Sequence, residues 1–561
     1  MAESVFDHDQ FLALLREFGT AVPPLLRENP LTADLAEKIQ LIRQAAEGRF
    51  TVAVVGQMRS GKSSLLNALI GQERAVVGVN ETTATINWFR HGDGAQTETF
   101  RVTWDDGSAE DLDIGRIGDW VGDSEKASRT RKIDFFADSD FLRVANIVDT
   151  PGTRSVIGSH EDTVRGFLLE EATIREGEQA DAILYVTPPV AGATDEDLLR
   201  EFDSKTRLPG SSPYNSIAVL HKWETLNADD PYEEALRKAE TAGRSLDKLV
   251  SKVVPVSAPL AWAAEHFPDS YFEEILRLVG STPPTSLQKL TKADGHFCKR
   301  HVPDCPLDPT SRENLLRSQP MPWPSFRYLL QLAGKDPSAA PAALREAVRK
   351  VGGLAELKEE LESRFFARSR MIKCFSTLAK AIDPCQQAQI RLQNHKSRLA
   401  SALDHAASAK VALKARIDAG DLDLSPAMSY ILETEESSRK DQEHSTMTLR
   451  AFGGPLSKLR SAYKDMEADI RFTEAIKDSV GAGLPAPWPD RLATIFGASG
   501  PDLATRLGFL PPGQTPSVMT NSIVEAIGEL RSLSQRSDRN VQEILGHGID
   551  RLEAMLEEVE A

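Results

Sequence analysis

Cysteine and long apolar segments are both scarce in this chain of 561 residues. Four cysteines are too few for a disulfide framework in a chain of this length, which agrees with a reducing compartment. No apolar run approaches the roughly 20 residues of a membrane-spanning helix. The opening MAESVFDHDQF has neither the basic nor the apolar segment of a signal peptide. These absences predict a cytoplasmic protein.

Positive charge is also in deficit. Lys and Arg number 66 against 83 Asp and Glu, which gives a formal net charge of −17. A field of that sign opposes nucleic acid and anionic lipid as general partners, although a local basic patch could still exist. Since one hydrophobic core cannot organise a chain of this length, we expect roughly two to four structural units.

One short segment concentrates residues of the types that bind zinc. His296, Cys298, His301 and Cys305 lie within ten residues. Their spacing fits no common zinc module, and they include no C-x-x-C pair. An ordinary surface loop is therefore the favoured interpretation, and zinc binding is the alternative.

Short apolar runs alternate with helical stretches from residue 51 to about residue 260. The runs are TVAVV (51–55), VANIV (144–148), AILYV (182–186), IAVL (217–220) and VVPV (253–256). Continuous apolar runs are typical of strands covered on both faces, so they predict an α/β domain with a mostly parallel sheet and helices on both faces. The alternating segment TETFRVTWDDGS (97–108) predicts an antiparallel edge strand that ends in an Asp-Gly turn.

Apolar residues recur every three or four positions before residue 48 and again after residue 341, which predicts amphipathic helices in both places. The long helices after residue 341 must bury one face against each other, as in a bundle or coiled-coil arm. We predict four parts: a helical segment over 1–48 that packs on the stalk, an α/β domain over 49–280, a proline-rich and loop-rich connector over 281–340, and a helical stalk over 341–561.

The segment GQMRSGKSS (56–64) lies between a predicted strand and a predicted helix and fits the phosphate-loop pattern G-x-x-x-x-G-K-[ST]. In that pattern the glycines let backbone N–H groups converge on an anion, the lysine adds a point charge, and the serine hydroxyl can reach Mg²⁺. The predicted contacts of this loop with a nucleotide come from Gly56, Gln57, Met58, Arg59, Ser60, Gly61, Lys62, Ser63 and Ser64.

Two further motifs indicate a γ-phosphate and a magnesium ion. VNETTATIN supplies Thr82 and Thr83, one of which could bind Mg²⁺ through its hydroxyl. DTPG comes directly after a buried strand, so Asp149 could hold a magnesium-bound water while the Gly152 N–H meets the γ-phosphate. The predicted magnesium residues are therefore Ser63, Thr83 and Asp149.

The remaining motifs indicate the base. HKWE ends a strand where GTPases carry N/T-K-x-D: Glu224 could accept from guanine N1 and N2, and the stem of Lys222 could cover the base beside His221. Ser257 and Ala258 supply the last base-contacting turn. Together these motifs predict GTP or GDP with Mg²⁺, although glutamate in place of aspartate weakens the inference of selectivity over adenine.

With these motifs in place, the chain resembles the bacterial dynamin-like proteins. VVGQMRSGKSSLLNALIG, ETTA, VDTPG and ADAILYVTPPVAGATDEDL are similar to the G domain of that family in order and wording. VGGLAELKEELESRFFARSR (351–370) resembles the segment that starts the family's helical stalk. The resemblance is specific over about residues 48–265, and size and layout suggest the labile-enterotoxin-output group.

The resemblance implies a magnesium-dependent GTPase whose G domains form a homodimer with nucleotide, hinged helical regions, a dynamin-like partner protein and peripheral contact with a membrane that it remodels. The alternative is a nucleotide-gated module that binds a protein partner without membrane contact. The apolar segments GAGLPAPWPDRLATIFGASG (481–500) and RLGFLPPG (506–513) either touch lipid or pack between helices, and packing is favoured.

Arg59 is the unusual residue of the phosphate loop. Thr153 comes after DTPG, so the glutamine that orients the attacking water in small GTPases is absent. Arginine at this one place resembles the guanylate-binding proteins, which use it as an arginine finger in cis. We therefore predict catalytic roles for Arg59, Lys62 and Thr83, with an Arg59 side chain that only points into water as the alternative.

Overall fold

The computed structural model describes residues 8–46, 48–57, 59–75, 86–117, 126, 129–150, 180–189, 200, 215–246, 249–319, 321–419, 424–478, 484–499, 503–511 and 514–560. The strands in these ranges are β1 (Thr51–Gly56), β2 (Ile86–His91), β3 (Thr99–Trp104), β4 (Ala109–Asp113), β5 (Thr130–Ala137), β6 (Asn146–Asp149), β7 (Ala182–Thr187), β8 (Ser216–His221) and β9 (Val253–Val256). The α-helices in the same ranges are α1 (His8–Arg27), α2 (Ala33–Ala46), α3 (Lys62–Ile70), α4 (Asp140–Val144), α5 (Pro231–Ser245), α6 (Ala258–His266), α7 (Asp269–Ser281), α8 (Pro284–Leu290), α9 (Asp294–Lys299), α10 (Pro309–Ser318), α11 (Trp323–Lys335), α12 (Pro341–Gly352), α13 (Leu354–Leu361), α14 (Ser369–Asp418), α15 (Ser425–Asp478), α16 (Trp488–Ile495), α17 (Leu503–Arg506), α18 (Pro516–Ser534) and α19 (Arg539–Glu560).

The described strands form one sheet in the order β4-β3-β5-β2-β6-β1-β7-β8-β9. The strands from β6 to β9 in that order all pair in parallel, which confirms the predicted mostly parallel sheet. Antiparallel pairing occurs between β2 and β6 and on both sides of β3, which confirms an antiparallel strand in the segment 97–108. The edge position predicted for that strand is wrong, because β4 pairs with its outer side and forms the edge of the sheet. The turn from β3 to β4 has Gly107 at φ 84°, a left-handed conformation that glycine adopts without strain.

Apolar side chains cover both faces of the sheet. Along β1, Val52 and Val54 pack with buried residues of α3, α13 and α14 on one face. Ala53 and Val55 point to the opposite face and pack with residues of α6, α7, α11 and α12. Because side chains alternate along a strand, an unbroken apolar run such as TVAVV is what burial on both faces requires.

The two longest helices, α14 and α15, pack antiparallel along each other. Lys410 Nζ lies 3.1 Å from Glu435 Oε2, and further along the pair Arg460 donates to Gln389. The N-terminal helices α1 and α2 pack on this pair, and α16 to α19 form a separate apolar cluster with the end of α15. None of the described helices is both long and apolar enough to cross a bilayer.

The prediction of a loop-rich connector over 281–340 is wrong. The structure has α8 to α11 there, and Phe297 and Phe326 are fully buried in the core of the sheet's second face. Pro284 and Pro309 are the first residues of α8 and α10, where a missing backbone N–H costs no hydrogen bond. The prolines therefore mark helix starts, and the short length of each helix hides the periodicity.

Two open alternatives of the sequence now have a structural context. His296 and Cys298 lie on α9, and His301 and Cys305 follow it. Within the described ranges, none of these four residues belongs to a group of side chains that could hold a metal ion. In the apolar segment near residue 490, Leu492, Ile495 and Phe496 are fully buried among α15, α18 and α19. This segment packs between helices, as the favoured alternative had it.

A buried ion pair ties the start of α14 to the sheet. Lys373 Nζ on α14 lies 3.0 Å from Asp181 Oδ2, directly before β7, and the two residues are 8% and 3% exposed. The same carboxylate accepts from the backbone N–H of Thr51 and from the hydroxyl of Ser376. Donors from β1 and α14 therefore meet at one buried carboxylate.

Candidate nucleotide site

The phosphate loop connects β1 to α3, and its two motif glycines are required by space. A Cβ on Gly56 would lie 2.2 Å from the carbonyl oxygen of Val186 on β7. A Cβ on Gly61 would lie 2.4 Å from the ring of His221, and Gly61 also has the left-handed φ of 96°. The loop is thus pressed against β7 and β8, which holds its backbone in place for an anion.

Lys62 begins α3 and reaches back across the loop. Its Nζ donates to the carbonyl oxygens of Gly56 and Gln57 at 3.0 and 3.3 Å, and the side chain is buried. The loop closes a turn of its own through the Ser60 N–H, which donates to Gln57. A cation is therefore held over the loop, in the position where phosphate oxygens would need it.

Ser63 and Asp149 meet at the end of β6. Ser63 Oγ donates to Asp149 Oδ2 at 3.3 Å, while Asp149 Oδ1 is buried and has no hydrogen-bond partner among the described residues. Burial raises the pKa of Asp149 to about 6, and the charge of Lys62 and the Ser63 hydroxyl oppose that rise. A hydroxyl and a carboxylate with an unsatisfied oxygen form a donor set that suits Mg²⁺, so the residues present fit the ion.

His221 lies beneath the phosphate loop at the end of β8. Its Nε2 accepts from the backbone N–H of Ala258, so its Nδ1 carries the proton and donates to the carbonyl oxygen of Ser60 at 2.8 Å. Burial lowers the pKa of the ring to about 4, which keeps it neutral. The ring therefore links the phosphate loop to the predicted base-contacting turn through two backbone groups.

This link predicts a pH dependence of folding in the nucleotide-free protein. Because the pKa of His221 falls from its ordinary value of 6.5 to about 4 on folding, the unfolded chain binds an extra proton between those pH values. The contribution of His221 to the free energy of unfolding is fully present above the pKa of the unfolded chain. It falls as the pH drops, by about 2 kcal/mol near pH 5. When the pH is lowered from about 7.5 to about 5, the free energy of unfolding should fall by about 2 kcal/mol less in His221→Asn than in the wild type, as measured by urea unfolding.

The control for this prediction is His405→Asn, which changes an exposed histidine on α14. Its pH dependence should match that of the wild type. An identical pH dependence for His221→Asn and the wild type would contradict a neutral His221 ring that makes two hydrogen bonds.

The side chain of Lys222 contacts the backbone of the phosphate loop at Arg59. Lys222 Nζ donates to the carbonyl oxygen of Arg59 at 2.6 Å. Both residues have left-handed backbone conformations, at φ 60° and 61°, which cost a non-glycine residue about 1–2 kcal/mol. The contact fixes the backbone of the loop at Arg59 and leaves the arginine side chain exposed.

Glu224 is buried behind the base-contacting turn. It is 2% exposed, and its Oε1 accepts from the hydroxyl of Ser325 on α11 at 2.8 Å. Burial raises the pKa of Glu224, and the hydroxyls of Ser325 and Ser257 oppose that rise. The turn itself is anchored by the Ser257 N–H, which donates to Gly352 at the end of α12.

The structure thus brings together most of the residues that the motifs predict: Gly56, Gln57 and residues 59–64, with Asp149, His221, Lys222, Glu224, Ser257 and Ala258. Met58, Thr82, Thr83 and Gly152 lie outside the described residues. Sequence reasoning missed Ser325 and Gly352 at this site. Neither belongs to a local motif, and both reach it only because α11 and α12 pack on the sheet.

A model of the dynamin family matches residues 52–222, from β1 through the phosphate loop to Lys222. These residues form a dynamin-family domain. The chain is 29% identical to the isoniazid-induced protein IniC of Mycobacterium tuberculosis over 338 residues, which are 58% of this chain and 65% of that protein. It is 25% identical to dynamin-like protein 2 of Campylobacter jejuni over 252 residues, 45% of this chain and 37% of that protein.

The predicted resemblance to bacterial dynamin-like proteins is confirmed by these relatives. The chain spans 65% and 37% of the lengths of these two relatives. A solved structure of an oligomerised bacterial dynamin pair is similar over 85% of this chain and 79% of its own, at 18% identity and a TM-score of 0.29.

Proposed function

We propose that the dynamin-family domain binds GTP and hydrolyses it to GDP and phosphate with Mg²⁺. The observation that carries the proposal is the Ser63–Asp149 pair beside Lys62, in a phosphate loop whose glycines have no room for a side chain. A dynamin-family match over the same residues agrees with this chemistry. Mg²⁺ would supply charge neutralisation at the phosphates, with Ser63 and Asp149 as its protein groups.

In this mechanism the backbone of the loop and Lys62 bind the β- and γ-phosphates. A water attacks the γ-phosphorus as the bond to the bridging β-oxygen breaks, so that negative charge develops on GDP. Arg59, exposed on the loop, is the cation we assign to that charge. The contact from Lys222 fixes the backbone of Arg59, so that the side chain can turn toward the phosphates without moving the loop.

We further propose that two such domains dimerise across the nucleotide face and that the helical part moves with the nucleotide state. The Ser257 N–H bonds directly to Gly352, and α13 and the π-helical turn Glu362–Phe366 lead from there to α14. A change at the base-contacting turn would therefore reach the long helices through one hydrogen bond and a short covalent path. Membrane or vesicle remodelling is the role we propose for that movement.

The second candidate function is a nucleotide-gated module that binds a protein partner, and the net charge of −17 favours it over a bare anionic membrane. Co-sedimentation of the full chain with vesicles distinguishes the two. Binding to neutral and anionic vesicles in the presence of a non-hydrolysable GTP analogue would support remodelling. Absence of binding in every nucleotide state would favour the protein-partner function.

Base selectivity tests the proposed GTPase. Because guanine presents N–H donors where adenine does not, Glu224→Ala should weaken GTP binding by about 1–3 kcal/mol and leave ATP binding unchanged. Fluorescent-nucleotide displacement measures both affinities, and Glu233→Ala, an exposed change on α5, is the control. Equal affinity of the wild type for GTP and ATP would rule out the assignment.

A further inference from the structure

Helix α11 supports the loop that comes after β8. The Tyr328 ring meets the fully buried Trp223 ring edge-on, with centroids 4.8 Å apart. Tyr328 Oη donates to Asp230 Oδ1, and Lys335 Nζ lies 2.8 Å from Asp230 Oδ2. With the Ser325–Glu224 hydrogen bond, α11 contacts the loop near its start, at Trp223 and Glu224, and at its end, at Asp230.

The dynamin-family match ends at residue 222, and α11 lies more than 100 residues beyond that point. Glu224 and Ser325, which share the hydrogen bond, are 101 residues apart in the chain. The base-reading loop therefore depends on a helix that no nucleotide motif includes. Ser325 is fully buried, so its hydroxyl has no water to bond and is committed to the carboxylate.

The hydrogen bond divides the two oxygens of Glu224. Oε1 accepts from Ser325, whereas Oε2 is buried without a hydrogen-bond partner within the part of the chain that the structure describes, and the Ser257 hydroxyl beside the carboxylate is likewise buried and unpartnered there. A buried carboxylate oxygen without a donor is costly, and guanine offers donors at N1 and N2. Adenine offers an acceptor at N1 and no amino group at C2, so it would leave that oxygen unsatisfied.

We propose that Ser325 is a positioning residue for base recognition: its hydroxyl fixes the Glu224 carboxylate so that the second oxygen is reserved for the donors of guanine. The selectivity of the site for GTP over ATP is then set in part by α11, outside the dynamin-family match. This inference rests on the proposed GTP site and names what determines its base preference.

The test compares the GTP and ATP affinities of Ser325→Ala with those of the wild-type full chain. GTP affinity should fall about tenfold, since a hydrogen bond to a charged group is lost, while ATP affinity stays unchanged. The matched control is Ser338→Ala, an exposed serine beyond the same helix whose hydroxyl bonds to Asp336. Its two affinities should equal those of the wild type.

A double-mutant cycle shows whether Ser325 acts through Glu224. In the Glu224→Gln background, Ser325→Ala should cause no further loss of GTP preference, because the charged acceptor is already gone. Ser325→Cys, which keeps the size and a weaker donor, should give a GTP-to-ATP ratio between those of the wild type and Ser325→Ala. This variant also retains the test if the alanine variant folds poorly.

Two results would overturn the inference. Equal losses of GTP and ATP affinity in Ser325→Ala would show a purely structural role, and an unchanged ratio would show no role at all. Failure of the proposed function has a separate signature, because a wild-type protein without preference for GTP over ATP would reveal it before any variant is compared.

Discussion

Asp181→Ala is expected to lower the free energy of unfolding by about 3–5 kcal/mol, the range for removing one partner of a buried ion pair. The loss would leave the Lys373 ammonium in a site where it is 8% exposed, beside the carbonyl oxygen of Arg49 but without an opposite charge. The Thr51 N–H at the start of β1 would lose its side-chain acceptor as well. Urea unfolding followed by tryptophan fluorescence measures the change.

Two comparisons sharpen this prediction. Asp181→Asn keeps one acceptor oxygen for the Thr51 N–H but loses the charge and replaces the other oxygen by a donor, so its effect should be smaller than that of Asp181→Ala. Arg391→Ala breaks an exposed ion pair with Asp34 that also joins two helices, and should cost no more than about 1 kcal/mol. An effect of Asp181→Ala as small as that of Arg391→Ala would contradict the role of the buried carboxylate.

Arg59→Ala is expected to lower GTP turnover by about 10²-fold or more and barely change GTP affinity. In the proposed role, the guanidinium stabilises only the charge that develops in the transition state. Lys62 and the loop backbone bind the phosphates in the ground state. The left-handed backbone at residue 59 and its contact from Lys222 do not depend on the arginine side chain. Steady-state kinetics with GTP separate the two effects.

Arg59→Lys is the matched variant. It keeps the charge and loses the planar fork that fits phosphate oxygens, so its turnover should lie between those of Arg59→Ala and the wild type. If dimerisation turns Arg59 inward, wild-type turnover per chain should rise with protein concentration, and light scattering should show a dimer only with a GTP analogue. Unchanged turnover of Arg59→Ala above the dimerisation concentration would show that the arginine only faces water.

The parts of the fold that could be predicted are those whose signal is local. TVAVV, AILYV and IAVL became central strands because an unbroken apolar run fits a strand covered on both faces. Strands β2, β4 and β5 were missed since their exposure varies along the strand and gives no single pattern. The segment over 281–340 was misread because its prolines, at the first turns of short helices, resemble those of loops.

The candidate site divides in the same way. The phosphate loop is nine consecutive residues between a strand and a helix, so its spacing alone brings Gly61, Lys62 and Ser63 to one place. The Ser63–Asp149 contact was also predictable, because Ser63 follows β1 and Asp149 ends β6, and the carboxyl ends of these two parallel strands share one edge of the sheet. Nothing in the sequence indicated that His221 would be held neutral between two backbone groups.

The sequence by itself determined the phosphate loop, the central strands and the long helices, since each depends on residues that are neighbours along the chain. Only the tertiary structure decided that Ser325 donates to Glu224 across 101 residues and that Lys373 meets Asp181 across 192. The physical reason is burial. A carboxylate removed from water must find its donors wherever packing brings them, and packing is a property of the whole chain.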